Sequence, residues 1–177
     1  MLSRMLSILI LLGLTTAVHA GWDPAERREL QREAAQAVAA FKRKDPSLKR
    51  FFRNAYGWAV FPTVGKAGFW LGGAYGKGVV YRRGKVVGYS TLKQVTIGLQ
   101  FGGQAYSEII FFRNRAALDR FRREQLEFDA QASAVAADKG ASLDADYHHG
   151  VAVFTLAKGG LMAEASVGGQ QFTFDPG

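Results

Sequence analysis

The chain has 177 residues, no cysteine, 21 glycines and a formal charge of +8. Without cysteine there can be no disulfide, no thiolate nucleophile and no cysteine-ligated zinc or iron–sulfur cluster, so stability rests on packing and hydrogen bonding. The charge is also polarised. No acid occurs between Pro46 and Ser107, which hold Lys49, Arg50, Arg53, Lys66, Lys77, Arg82, Arg83, Lys85 and Lys93, whereas from Glu124 onward eight acids face only Lys139 and Lys158. Such a chain presents a positive region to its surroundings unless folding interleaves the two halves.

Residues 1–20 read as a cleaved signal peptide. Arg4 supplies the positive start, Met5 to Leu14 the apolar core, and Val18-His19-Ala20 the cleavage site. The apolar run falls short of the roughly 20 residues that span a bilayer. Export to the periplasm is therefore expected, leaving one domain over residues 21–177. Asp23-Pro24-Ala25-Glu26 carries a cap, a proline at the first helical position and an acid three residues after the cap. Leu30, Ala34, Ala37, Val38 and Phe41 then recur at helical spacing, and Lys42-Arg43-Lys44 suits the C-terminal dipole. Asp45-Pro46 repeats the start signal for a short second helix through Leu48, Phe51 and Phe52.

From Tyr56 the pattern turns to strands. Tyr56–Phe61 is a short apolar run, and 67–81 mixes aromatics with glycines. Arg82-Arg83-Gly84-Lys85 reads as a hairpin turn into Val86–Tyr89, and Val95–Phe112 is a second long β-prone stretch. Asn114 caps a helix that buries Ala117, Leu118 and Phe121. Leu126 to Ala136 alternates with period two, predicting a strand with one small-residue face. Strands over Val151–Leu156, Leu161–Val167 and Gln171–Phe174 complete the set. Glycine weakens a flat strand but suits a sheet that bends sharply or closes on itself. The expected fold is therefore α+β: a strongly curved, glycine-rich antiparallel sheet or barrel, covered by the N-terminal helices and one mid-chain helix. Gly57-Trp58-Ala59-Val60-Phe61 and Gly150-Val151-Ala152-Val153-Phe154 agree at four of five positions, which suggests two related β-units.

Catalytic patterns are sparse. The glycine–lysine pairs at Lys66 and Lys77 lack both the first glycine and the Ser/Thr of a phosphate loop, and no serine sits in a G-x-S-x-G frame. His148 and His149, with Asp144 and Asp146 just before them, have a faintly metal-like composition that reads more simply as a solvated loop. Glu108 lies in a strongly apolar stretch, where a buried carboxylate could transfer protons. A wet-facing side chain or an arginine partner is the expected resolution. No catalytic residue, metal site or cofactor is predicted. Basic residues among aromatics can also mark nucleic-acid binding, which export argues against. The remaining reading is a surface one: Lys42, Arg43, Lys44, Lys49, Arg50 and Arg53, assisted by Arg82, Arg83 and Lys85, form the candidate anion-binding set. Phe41, Phe51 and Phe52 either insert shallowly into a bilayer or pack the helices onto the sheet; packing is expected for Phe41 and at least one of the pair.

Five segments resemble the SYLF domain: Tyr56–Pro62, Val64–Phe69, Gly72–Val79, Gly88–Leu92 and Gly98–Glu108, with Gly150–Phe154 following. They occur in the family's order, and the resemblance spans about Ala25 to Phe174. It implies a lipid-binding module, with the basic helices as the contact. Eukaryotic members bind phosphoinositides and take part in actin regulation, neither of which an exported bacterial chain would meet. The resulting expectation is a non-catalytic binder of anionic lipid or a membrane surface. The alternatives are an envelope protein-interaction domain or an enzyme using Glu108 or the His148–His149 loop.

Overall fold

The computed structural model describes residues 22–68, 71–97, 104–128, 133–159 and 165–177. The predicted leader, the middle of the Leu126–Ala136 alternation and the start of the Leu161–Val167 strand lie outside them. Helix α1 (Pro24–Lys44) begins as its caps dictate, with Asp23 accepting from the Ala25 amide at 2.6 Å. Its apolar stripe of Leu30, Ala34, Ala37 and Phe41 is buried against strands β1 (Gly57–Gly68) and β2 (Leu71–Arg82). The second start signal yields a 3-10 turn, Pro46–Leu48, running into α2 (Lys49–Asn54).

β1 and β2 are followed by β3 (Lys85–Ile97), β4 (Gln104–Phe112), α3 (Arg115–Arg122), β5 (Ser133–Ala136), β6 (Val151–Ala157), β7 (Ala165–Ser166) and β8 (Gln170–Pro176). They form one sheet in the order β7-β5-β6-β4-β1-β2-β3-β8. The outermost strands, β7 and β8, are joined by residues 167–169 alone. Laid flat, seven strand spacings would separate them by about 34 Å, whereas so short a connection reaches about 14 Å. The sheet must therefore curl until its edges lie within that reach, and no ladder joins β7 to β8 among the described residues. The expectation of a strongly curved sheet thus holds, with one correction. β5 runs parallel to β6, pairing Val135 with Phe154, so the sheet is mixed. The strand expected from Leu126 is also shorter. Glu124 sits at φ +59°, the chain turns there, and 125–128 run without strand pairing while Leu126 is buried and Phe128 meets Phe172 edge-on at 5.9 Å.

Alternation sorts the strand side chains onto two buried faces. Val60, Val79, Ile109, Phe111 and Phe154 point outward under α1 and α2. Phe61, Val64, Val80, Leu92, Ile110, Phe112 and Phe172 point into the lumen, which α3 stops at one end with Leu118 and Phe121. The lumen is narrow: a Cβ on Gly78 would stand 2.6 Å from the Phe61 ring, so only glycine lets β2 pass that side chain. The sequence echo does not produce equivalent units. Ala59 and Val153 both pair with Ile110 of β4, whereas the echo aligns Ala59 with Ala152. That offset of one residue turns Phe61 into the lumen and Phe154 outward.

Candidate functional site

One end of the curled sheet gathers cations from distant parts of the chain. Gly57, the first residue of β1, pairs with Arg82 on one side and with Phe112 on the other. The β2–β3 turn and the residue after β4 therefore lie on either side of the β1 entry, where α2 has just ended. Arg53, Arg83 and Arg113, with Asn54, Phe52 and Trp58, line a groove of about 590 Å³ here. All three arginines are exposed, and none makes an ion pair among the described residues. Rings hold two of them in place: Arg83 lies over Tyr56 at 5.5 Å and Arg113 over Tyr147 at 5.9 Å. Arg82 and Lys85 flank the same turn and are also exposed and without an ion pair.

The nine predicted cations do not form one patch. Lys42 sits over the Phe52 ring at 4.5 Å. Arg43 lines a separate groove with Thr63, Ser107 and Lys158. Lys44 pairs with Asp138 at 3.2 Å. Arg50 donates to the Ser142, Leu143 and Ala145 carbonyls, clasping the loop between β5 and β6 onto α2. The same loop is held by Asp45, buried between the helices, which accepts from the Ser47 hydroxyl, from the Ser47 amide at 3.1 Å and from the Ser142 amide at 2.8 Å. Burial pushes the Asp45 carboxyl up, but these hydrogen bonds outweigh it and leave the group below its ordinary value. Lys49 is exposed on α2. Folding thus interleaves part of the basic half with the acidic half, and Arg53, Arg82, Arg83 and Lys85 escape that neutralisation. Phe41 and Phe51 are buried and Phe52 is half-buried against Trp58 and Phe111, so these rings pack the helices onto the sheet.

Arg113 is the member that sequence reasoning missed. It follows an apolar run far from the basic N-terminal half, and the pairing of β1 with β4 brings it beside the turn. Glu108 corrects another expectation. It faces neither solvent nor an arginine; it is fully buried in the lumen, where Gln170 Nε2 donates to Oε2 at 3.0 Å. Burial raises its pKa to about 7, with the Gln170 bond working against the shift. Tyr106 and Thr155 are buried beside it, and burial raises the tyrosine as well. His148 and His149 open a tight turn closed by Val151, are exposed, and line an open cavity of about 1010 Å³ with Asp144 and Asp146. Among the described residues no three acidic or histidine side chains gather in a metal-ligating group.

Fold and surface together define a small α+β binding domain: a curled mixed sheet with helices on its outer face and a cationic rim at one end. Residues 93–176 match the Ysc84 family, described as "Las17-binding protein actin regulator". The chain is also 31% identical over 144 residues to the Beta cell expansion factor A of Aeromonas veronii, an alignment covering 80% of this chain. It spans about half of that relative, 54% of its length. Over these residues the chain is similar to the Ysc84, or SYLF, family, a class of lipid-binding and actin-regulator-related binding domains.

Proposed function

We propose that this protein is an exported, non-catalytic module that binds anionic membrane surfaces through the rim formed by Arg53, Arg82, Arg83, Lys85 and Arg113. The observation that carries this reading is the concentration of exposed cations at one end of the sheet, with no ion pair among the described residues, in a chain whose other cations are partly taken up internally. Each cation near an anionic leaflet contributes about 1 kcal/mol, and salt screens the attraction over about 8 Å at physiological ionic strength. Similarity to that family supports the lipid side of the reading. The leader-like residues 1–20 support delivery to the periplasm, where fractionation and N-terminal sequencing of the protein would place it.

Co-sedimentation of the purified protein with vesicles tests the reading. Binding is expected to anionic phosphatidylglycerol vesicles, to weaken steeply with salt, and to fall when Arg82 and Lys85 are both changed to glutamate. Equal binding to neutral phosphatidylcholine vesicles would overturn it. A second reading, docking onto a protein, draws support from the family's printed description; capture of one stoichiometric partner without lipid would favour it.

A further inference from the structure

Resting on that reading, we propose that the groove between α2 and the β2–β3 turn is a binding site for a phosphate monoester, grasped by Arg53, Arg83 and Arg113. Four observations converge on it.

The first is assembly. The three guanidiniums come from a helix end, a hairpin turn and the residue after a strand, and they meet only because β1 pairs with both β2 and β4. The second is electrostatic. No acid lines this groove, whereas Arg27, Lys44 and Lys77 each have a carboxylate partner. Three like charges around one groove repel one another until an anion enters. The third is pre-organisation. The guanidinium carbons of Arg83 and Arg113 lie over the Tyr56 and Tyr147 rings, and a guanidinium held against a ring keeps its in-plane N–H groups available to donate.

The fourth is backbone strain. Arg83 has φ +49° and Gly84 φ +80° in a two-residue hairpin turn. A turn with positive φ at both positions favours Asn-Gly or Asp-Gly. A long side chain in the left-handed region costs about 1–2 kcal/mol. The fold carries that cost at a turn whose two residues, Arg83 and Gly84, both line this groove, the pattern expected of a ligand clamp.

The arrangement selects the chemistry. A phosphate monoester offers three unbridged oxygens and nearly two negative charges at neutral pH, enough for two-pronged contacts with more than one guanidinium. A diester, as in phosphatidylglycerol, offers two oxygens and one charge. A lipid head group and a soluble phosphate compound share the monoester chemistry, and the test separates them.

Vesicles containing phosphatidic acid and vesicles containing phosphatidylglycerol are matched for surface potential, and glycerol 3-phosphate serves as the soluble probe. The expected result is binding to phosphatidic acid about tenfold tighter than to phosphatidylglycerol, the scale of one charge-assisted hydrogen bond. Arg83→Asn, which suits the turn, is expected to erase that preference while leaving the melting temperature unchanged or higher. Arg53→Gln is expected to erase it too, and Arg82→Gln, outside the groove, to weaken both lipids alike. Competition by glycerol 3-phosphate against phosphatidic acid would extend the site to free phosphate compounds. Absence of competition, with the preference retained, would make the lipid its source. Equal binding of the two anionic lipids by the unaltered protein overturns the inference and leaves the surface reading intact. Arg83-dependent binding of glycerol 3-phosphate without any vesicle binding keeps the inference and overturns the surface reading.

Discussion

The two faces of the curled sheet are both buried, yet they are filled in different ways. The outer face is apolar and interlocked by rings. Phe51 meets Phe154 at 4.9 Å, Phe52 meets Phe111 edge-on at 4.8 Å, and Phe111 meets Phe154 at 5.9 Å. Asp45, its one buried carboxylate among the described residues, is fully engaged by hydroxyl and amide donors. The lumen mixes rings with polar groups. Phe61, Phe121 and Phe172 share it with Glu108, Gln170 and Thr155, and Glu108 Oε1 and Thr155 Oγ1 have no hydrogen-bond partner among the described residues. The contrast separates an outer layer that supplies stability from an interior that gives some of it back, since a buried polar atom without a partner costs about 1–3 kcal/mol.

The comparison is most directly broken on the outer face. Phe111→Ala removes a fully buried ring that touches both helical phenylalanines and Phe154, and it should cost about 3–5 kcal/mol in urea titration. A loss below about 1 kcal/mol would mean that the helices do not depend on this cluster. The lumen should respond with the opposite sign. An ordinary glutamate titrates near 4.5, and Glu108 is raised to about 7, so the native state holds its proton more tightly than the unfolded chain. The stability this supplies is complete below about 4.5 and disappears as pH rises through about 7. Glu108→Gln should therefore gain on the order of 3 kcal/mol at alkaline pH and almost nothing in acid. A wild-type protein whose stability does not fall between those limits would place the carboxylate in water. The smallest effect belongs to the clasp between the layers. Asp45→Ala should cost about 2 kcal/mol and speed hydrogen exchange at the Gly140 and Ser142 amides, which donate to that carboxylate. Unchanged exchange there would detach the loop from the outer layer.

Local signals were the readable part of this fold. Asp23-Pro24 and Asn114 mark their helices because a cap acts within three residues, and the Arg82–Lys85 turn is set by its glycine. Glycine density pointed to curvature because close backbone approach, as at Gly78 against Phe61, tolerates nothing larger. Partner identity was not readable. β4 is buried on both faces from Tyr106 to Phe112, so its sequence has no wet face to say which way Glu108 points. The period of two around Ala134 and Ala136 marks a strand but carries no sign of whether its neighbour runs parallel. In the candidate site, Arg53 and Arg83 were found from their charge alone. Lys44 and Arg50 looked identical to them until the acidic loop folded back onto α2, and Arg113 joined them only through a strand pairing more than fifty residues long in sequence.

The last strand has a protective role that follows from its position. β3 is thirteen residues long, and among the described residues its outer edge along Gly88 to Gln94 is paired by β8. A long strand with a bare edge is a template for another chain. β8 therefore shields that edge, and a variant that loses this strand would expose an adhesive surface.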